Sequence, residues 1–470
     1  MSAIPEAKEI FGQELISQAQ GLGRNILDDL QELEGQIRKA SNGADVQGMA
    51  LAKFSPASSD QAKLLRVITA LDFLFDPKRA DTQDKPSTSD AQSLGSQQKE
   101  DILTTLYENR IFVDLWDKLS LCLKEIHERE NMFSVANILL PLIEVLMVVC
   151  KNTTLKDAPI KNTQQDFSVS SPEPESKEQR MESLFFRFTE DHRRILNELV
   201  RHNPKLMSGS FSLLVKNSKV LEFDNKRNYF TRRLHSRGQE VRQPHPSLQL
   251  SVRRDQVFLD SFKHLYYKKP DEFKYGKLSI RFAGEEGVDA GGVTREWFQA
   301  LTKQMFDPNY ALFVPVAADR TTFHPNSESA INEQHLTFFK FIGRIIGKAL
   351  YEGRVLDCHF SRAVYKRILG RSISIKDMES LDNDYAKNLQ WILDNDITDL
   401  ITETFSVSTD VFGEEKVVDL IENGRDIEVT EENKHEYVQR VVEYKLIGSV
   451  KEQMEHFLQG EHRETPVSTL

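Results

Sequence analysis

Three cysteines, Cys122, Cys150 and Cys358, are the strongest nucleophiles that this 470-residue sequence could offer. A cysteine attacks as the thiolate, which requires access to solvent and usually a nearby positive charge. Cys122 in "KLSLCLKEI" and Cys150 in "LMVVCKN" fall within apolar helical patterns, which favour a buried, inert thiol. Cys358 in "VLDCHFSR" is followed by His359, but adjacent side chains point in different directions along a helix or strand. We therefore predict no catalytic residue among the three.

Cysteine and histidine are nowhere grouped at the spacing that a zinc ion requires, so the sequence predicts no metal site, and no cofactor is expected. Three widely separated cysteines exclude a disulfide framework and are typical of a reducing compartment. The first residues, "MSAIPEAKEIFGQEL", show no basic region followed by an apolar stretch, so we expect no secretory leader. A cytoplasmic or nuclear location is the resulting prediction.

A glycine-rich stretch, "GEEGVDAGGVTREWF" at residues 284–298, raises the question of a phosphate-binding loop. It contains neither G-x-x-x-x-G-K-[ST] nor G-x-G-x-x-G, and its acidic side chains would repel a phosphate. A structural role explains more. Residues 278–282 are predicted to form a strand, Gly284 and Gly287 a turn with positive φ, and Gly291–Gly292 a close backbone approach. The next helix is predicted to bury Val293, Trp297, Leu301 and Met305.

The formal net charge of −11 argues against nucleic acid as the main partner, because phosphate binding draws on clustered Lys and Arg. The basic run "KRNYFTRR" at residues 226–233 has helical spacing and is interpreted as a solvated helix face. The most apolar segment, residues 136–150, contains Pro141 and Glu144 and is too short to span a bilayer. We expect it to form buried helices and expect no membrane association.

Hydrophobic periodicity divides the chain into helical regions separated by polar linkers, followed by a region where short strands alternate with long helices. The predicted fold class is α+β and mainly helical. The predicted segments are a helical region at 1–80, a linker at 81–100, a helical region at 101–151, a linker at 152–180, a helical region at 181–240, a mixed lobe at 250–460 and a tail at 461–470.

A series of motifs in the mixed lobe resembles the amino-terminal lobe of HECT-type ubiquitin ligases. These motifs are "FAGEEGVDAGGVTREWF", "MFDPNYALF", "HLTFFKFIGRIIGKALYEGRVLD", "LQWILDND", "FGEEKVVDLIENGRDIEVTEENKHEYV" and "SVKEQMEHFLQG". They occur in the order of the family between residues 250 and 460. The upstream stretch "SSDQAKLLRVITALDFLF" is further similar to the giant HECT ligases that carry UBA and WWE domains.

The resemblance implies ubiquitin transfer from a conjugating enzyme to a substrate lysine through a cysteine thioester. In the family that cysteine lies in a carboxy-terminal lobe, in a "HTCFN"-like motif, and no position of this sequence matches it. The final residues, "EHRETPVSTL", do not resemble the continuation of the family. We therefore expect a truncated ligase that keeps the docking of the conjugating enzyme and is inactive alone. The alternative is a non-catalytic regulatory protein that competes for conjugating enzyme or dimerises with a full-length ligase.

By resemblance, a small subdomain at about residues 384–437 offers a hydrophobic groove to the conjugating enzyme. Its helix "YAKNLQWILDN" has apolar side chains on two sides, with Trp391 nearly opposite the others, so one side requires a covering partner. The resemblance places six residues at partner-contacting positions, namely Tyr385, Leu389, Ile392, Ile401, Phe405 and Tyr437. All six are also ordinary core residues, so a purely structural role stays open. Ubiquitin itself is a further partner that the resemblance implies.

The helical region before residue 250 has two interpretations. By resemblance to the giant subfamily it is a regulatory segment that self-associates and restrains the ligase. Alternatively, it is a helical support that packs against the lobe. Apolar faces at residues 64–75 and 139–149 fit both interpretations.

Overall fold

The computed structural model describes residues 5–39, 49–74, 110–127, 132–152, 177–238, 245–286, 291–317, 319–411 and 413–464. The chain divides into two compact units, residues 1–229 and residues 230–470. The predicted mainly helical α+β class is confirmed. The predicted linker at 81–100 lies outside the described residues, as do residues 153–176 of the second linker. The boundaries of the predicted segments stay predictions.

The first unit is helical throughout the part that the structure describes. Its α-helices are α1 (Pro5–Lys39), α2 (Met49–Ala52), α3 (Asp60–Leu74), α4 (Arg110–Ile126), α5 (Met132–Ile138), α6 (Leu140–Asn152), α7 (Lys177–Asp191), α8 (Arg193–His202) and the first part of α9 (Phe223–Gly238). Apolar side chains from these helices, and from two 3₁₀ helices between α8 and α9 (Pro204–Ser208 and Ser210–Asn217), form one core around Trp116, Phe185 and Phe211, all fully buried. Cys122 and Cys150 lie in this core, as predicted.

Helices α5 and α6 form the apolar pair that the sequence predicts to be buried. Within the described residues no single helix is long and apolar enough to cross a bilayer, although these two together meet the length and composition, with a bend of 61° between them. Leu139, Leu142, Ile143 and Leu146 are fully buried in the core of the unit. The apolar character of the pair is therefore explained by packing within the protein.

The second unit combines helices with short strands. Its helices after α9 are α10 (Val257–Leu265), α11 (Pro270–Tyr275), α12 (Gly292–Met305), α13 (His335–Tyr351), α14 (Arg362–Ile368), α15 (Ile375–Met378), α16 (Asn383–Asp394), α17 (Lys434–Leu446) and α18 (Lys451–Glu464). Its strands are β1 (Leu248–Val252), β2 (Leu278–Phe282), β3 (Phe313–Val316), β4 (Asp319–Pro325), β5 (His359–Phe360), β6 (Ser406–Val411) and β7 (Glu414–Asp419).

The strands form three small sheets. β1 and β2 pair in parallel, with Leu248 opposite Leu278 and Val252 opposite Phe282, and buried and exposed side chains alternate along both. β3, β4 and β5 form a second sheet, antiparallel between β3 and β4 and parallel between β4 and β5. β6 and β7 form an antiparallel hairpin.

Two separate apolar cores lie in the second unit. The larger contains side chains from β1, β2, α10 to α13 and α18, including Trp297, whose indole N–H donates to Ser261 Oγ at 2.9 Å. The smaller is built mainly from α15, α16, α17 and the β6–β7 hairpin. We call residues 375–446 the small lobe. Because its core is distinct, the small lobe holds its own shape and can present a surface of its own.

The glycine-rich loop connects β2 to α12. Trp297, Leu301 and Met305 on α12 are buried as predicted, whereas Val293, which was also predicted to be buried, is half-buried at the start of the helix. Gly284 and Gly291 adopt φ angles of 83° and 103°, which favour glycine. Residues 287–290 lie outside the described residues. Within the described residues the predicted close approach at Gly291–Gly292 is wrong, because a Cβ at either position would meet none of their atoms within 4 Å.

Glycine is required where α13 and α18 cross. A Cβ added at the buried Gly460 would lie 2.1 Å from the carbonyl oxygen of Lys340 and 2.9 Å from the backbone nitrogen of Arg344. Two backbones approach this closely only where a side chain is absent. Gly460 therefore sets the distance between the two helices.

We predict that Gly460→Ala lowers the free energy of unfolding by about 1–3 kcal/mol, because the helices must separate to admit the methyl group. Gly292→Ala is the matched control, since its Cβ would enter open space at the start of α12, and we expect a change of less than about 1 kcal/mol. Chemical denaturation of both variants measures the difference. Equal stabilities would contradict the close helix crossing.

Candidate functional site

Helix α16 carries three of the six predicted contact residues. It begins after Asp382, whose carboxylate accepts a hydrogen bond from the backbone N–H of Tyr385 at 3.0 Å. Ala386 and Leu389 are buried on one face of the helix. Trp391 is 47% exposed and lies on nearly the opposite side. The helix therefore has the two-sided apolar pattern that the sequence predicts.

Phe405 and Tyr437 form the centre of the small lobe's core, with their rings edge to face and the centroids 5.6 Å apart. The backbone N–H of Phe405 donates to the carbonyl of Ile427 at 3.0 Å, and its own carbonyl accepts from the N–H of Leu420 at 2.8 Å. A Cβ at Gly424 would lie 2.1 Å from that same carbonyl oxygen, so glycine is required there. Burial also raises the pKa of Tyr437 well above its usual value, and the hydroxyl stays neutral.

The six predicted contact residues therefore differ in accessibility. As the structure places them, three are half-buried and retain surface for a partner, namely Tyr385, Ile392 and Ile401. The other three are buried among core side chains, namely Leu389, Phe405 and Tyr437. For these three residues the structure shows the burial that the core role, left open by the sequence, requires. Direct contact by any of the six stays a prediction.

Sequence reasoning missed Leu400, which is 64% exposed beside the predicted contact residue Ile401. Leu400 follows Asp399, whose φ of 57° places the chain in the left-handed region, and its N–H donates to the carbonyl of Ile397 at 3.0 Å. Ile397 is buried, so this tight turn anchors one apolar side chain and leaves the other in solvent. Aspartate tolerates the left-handed conformation, so the pair Asp399–Leu400 could have indicated a tight turn with an exposed leucine.

Tyr385 on α16 is surrounded by both acidic and basic side chains. Burial raises the pKa of its phenol, and the negative charges of Glu403 and then Asp382 raise it further. The ammonium of Lys445 lies 5.3 Å from the centre of the same ring, within cation–π distance. Tyr385 therefore stays a neutral aromatic side chain between acidic and basic neighbours.

Asp377 anchors the base of the small lobe at α15. Its carboxylate accepts from the backbone N–H of Ser374 at 2.7 Å and from the ammonium of Lys366 at 2.7 Å, while its side chain is 1% exposed. With Ser374 it forms a capping box that begins the helix. The lobe is thereby connected to α14 by a buried, charge-assisted contact.

The other candidates for chemistry are separated from the small lobe's surface residues or lack an arrangement for catalysis. Among the described residues, no group of three or more His, Cys, Asp or Glu side chains could hold a metal ion. Cys358 is half-buried against the larger core of the unit, and the ring of His359 faces Asp357, with 4.0 Å between Nε2 and Oδ1. In the glycine-rich loop, Glu285 forms a salt bridge with Arg254, which also binds Glu296 at 2.7 Å. The exposed and half-buried apolar side chains of the small lobe are therefore the candidate site that the following comparison bears on.

Comparison of the sequence with known proteins shows which family the chain resembles. A family model described as HECT-domain (ubiquitin-transferase) matches residues 299–470. This matched range contains the small lobe, and it also includes residues 461–470, where the sequence motifs showed no resemblance. The upstream motifs of the lobe, from residue 250, lie outside the matched range but within the relatives described next.

Three curated relatives align with most of the chain. The TOM1-like E3 ubiquitin-protein ligase of Neurospora crassa is 66% identical over 469 residues, which is 99% of this chain and 11% of that protein. TOM1 of Saccharomyces cerevisiae, also named an E3 ubiquitin-protein ligase, is 51% identical over 98% of this chain and 13% of its own length. The E3 ubiquitin-protein ligase HUWE1 of Mus musculus is 37% identical over 80% of this chain and 10% of its own length.

The chain thus spans about a tenth of the length of the relatives that it matches. The agreement covers both units, since the alignment with the Neurospora crassa protein includes nearly every residue. The predicted resemblance is confirmed by the family model and by the names of these relatives. The chain belongs to the family of HECT-type E3 ubiquitin-protein ligases.

Proposed function

We propose that this chain docks a ubiquitin-conjugating enzyme on its small lobe during HECT-type ubiquitin transfer to a substrate lysine. The observation that carries the proposal is the exposed Leu400, beside the half-buried Ile401, on a lobe that has a core of its own. Leu400 is 64% exposed and is not among the residues of the small lobe's core, so its apolar surface is available to a partner. Membership of the HECT family supplies the kind of partner that such a surface serves.

In this proposal the six residues predicted from the sequence divide into two roles. Tyr385, Ile392 and Ile401 contact the partner together with Leu400. The buried Leu389, Phe405 and Tyr437 support that surface from beneath. A contact of this size buries little area and binds weakly, which suits a carrier that must leave after delivering ubiquitin.

The three cysteines of this chain do not serve as the ubiquitin acceptor in our proposal. Burial raises the pKa of Cys122, Cys150 and Cys358 to about 12 in each case. At neutral pH almost none of these thiols is ionised, and the neutral thiol is a poor nucleophile. In this proposal the chain positions the conjugating enzyme. A cysteine other than these three accepts ubiquitin.

A non-catalytic regulatory role, with competition for conjugating enzyme or dimerisation with a full-length ligase, is the second candidate. Self-association is supported by exposed apolar side chains on the first unit, where Ile10 and Phe11 on α1 and Phe73 on α3 are each more than half exposed. Sedimentation of the chain over a range of concentrations tests this role. Ubiquitin as a direct partner, and a cytoplasmic or nuclear location, follow from the same proposal.

For docking, we predict that Leu400→Ala weakens binding of a conjugating enzyme by about 1–3 kcal/mol, because the exposed leucine is an apolar anchor. Trp391→Ala is the matched control, since it removes an exposed aromatic side chain from the far side of α16. We expect that control to bind normally. Isothermal titration with purified conjugating enzymes measures both affinities.

Thermal unfolding verifies that both variants keep the fold, since neither side chain belongs to the small core. A loss of binding in Trp391→Ala with normal binding in Leu400→Ala would place the docking surface on the opposite side of the lobe. No binding of the unmodified chain to any conjugating enzyme would refute the proposed function.

For the cysteines, we predict that iodoacetamide modifies Cys358 at about pH 7.5 at least roughly a hundredfold more slowly in the folded protein than in the protein unfolded in urea, because the raised pKa suppresses the thiolate. Mass spectrometry of the modified peptide measures the rate, and Cys358→Ser assigns the signal. Rapid modification in the folded protein, or a reducible ubiquitin adduct that disappears in Cys358→Ser, would overturn the assignment of an inert thiol.

A further inference from the structure

The negative charge of the chain is concentrated in the small lobe. Between residues 384 and 437 the sequence contains 15 Asp and Glu but only 4 Lys and Arg, a net charge of −11. The whole chain also has a net charge of −11, so the remaining residues are neutral overall. A field of one sign over so short a stretch acts on any approaching charged partner.

The asymmetry is strongest around the proposed docking residues. Residues 388–415 contain no Lys, Arg or His, and this stretch includes Ile392, Leu400 and Ile401. It contains seven acidic residues, namely Asp394, Asp396, Asp399, Glu403, Asp410, Glu414 and Glu415. The stretch that carries these apolar residues is therefore negatively charged, and Asp399 and Glu403 are the acidic residues nearest to Leu400 in the sequence.

The acidic side chains nearest to Leu400 stay in solvent and form no ion pair within the described part of the chain. Asp394 accepts from the side-chain amide of Gln390 at 2.8 Å, and Asp396 accepts from the N–H and hydroxyl of Thr398 at 3.0 Å and 2.6 Å. Asp399 and Glu403 are exposed on either side of Leu400 and Ile401. Neutral donors leave the charge of a carboxylate in place. The positive charge of Lys434 acts on Asp396 and offsets part of its charge, whereas Asp399 and Glu403 keep a negative potential beside Leu400.

Some acidic residues elsewhere in the same lobe form ion pairs. Asp419 forms a salt bridge with Arg425 at 3.1 Å, and Glu431 forms one with Lys434. Lys434 also donates to the carbonyl of Asn395 at 2.8 Å, which fixes it at the end of α16. The acidic residues around Leu400 therefore differ from Asp419 and Glu431, whose charges are offset by a paired cation.

Glu403 lies close enough to the predicted contact residues to act on them. Its negative charge contributes to the raised pKa of both Tyr385 and Tyr437, after the larger effect of burial. Ile401 is two residues away along the chain. Negative charge, an exposed leucine and half-buried aromatic surface therefore occur together.

We infer that this surface selects conjugating enzymes whose docking face is basic, with an apolar side chain bordered by Lys and Arg. The inference rests on the proposed docking function and specifies its partner. Opposite charges accelerate encounter, whereas a conjugating enzyme with an acidic docking face is repelled. Selection of this kind acts mainly on the association rate and weakens as salt screens the charges.

The test pair of substitutions is Asp399→Asn with Glu403→Gln, which removes two charges next to Leu400. Asparagine also tolerates the φ of 57° at position 399, so the turn is kept. The matched control is Glu414→Gln with Glu415→Gln, which removes two charges at the tip of the hairpin, where Val411 pairs with Glu414. The tip lies about 17 Å from the base of the hairpin, beyond the Debye length of about 10 Å at 0.1 M salt.

Stopped-flow mixing with a conjugating enzyme that has a basic docking face measures the association rate, from about 0.05 to 0.5 M salt. We expect the Asp399→Asn, Glu403→Gln chain to associate about three- to tenfold more slowly at low salt, with a shallower dependence on salt. The control pair should change the rate less than about twofold. A conjugating enzyme with an acidic docking face should associate slowly with all three forms.

Equal effects of the two substitution pairs, or an association rate that salt does not alter, would overturn the inference and leave the docking function intact. Equal association of the basic and acidic conjugating enzymes would overturn it as well. The absence of binding to every conjugating enzyme at every salt concentration would instead refute the docking function, and the inference with it. Each outcome is therefore assigned to one of the two proposals.

Discussion

The contact between Phe405, Gly424 and Tyr437 is the interaction on which the small lobe depends. The backbone N–H of Phe405 donates to the carbonyl of Ile427, and its carbonyl accepts from the N–H of Leu420. Its ring packs edge to face on Tyr437. A methyl group at Gly424 would collide with the carbonyl of Phe405. A small core tolerates such changes poorly, because few other side chains remain to compensate. The proposed docking surface depends on this contact, because the same lobe carries both.

The demands of that core explain how the surface is divided. Phe405 and Tyr437 are turned inward to fill the small core, so they leave little surface for a partner. The turn at Asp399 then allows Leu400 to face solvent while Ile397 is buried below it. Exposed apolar area costs free energy in water, and a surface that keeps it is suited to a transient contact. In our inference the negative charges around it favour a partner with a basic docking face.

The family and much of the fold could be predicted from the sequence because they depend on local patterns. The strand at residues 278–282 and the helix that ends before Asp307–Pro308 follow from periodicity and from residues that stop a helix. The apolar pair α5–α6 could be assigned to a core because Pro141 and Glu144 interrupt it. Gly291–Gly292 was misjudged, because a sequence shows that glycine is present without showing whether another backbone lies nearby.

The sequence by itself determined the HECT family, the mainly helical α+β class, the two-sided helix α16 and the acidic stretch around Leu400. Only the tertiary structure decided that Leu389 is covered and that Leu400 is open. Helical periodicity fixes which side chains share a face, but what covers that face comes from segments far away in the chain. Tyr437, which lies 32 residues beyond Phe405 in the sequence, meets it only in the folded lobe.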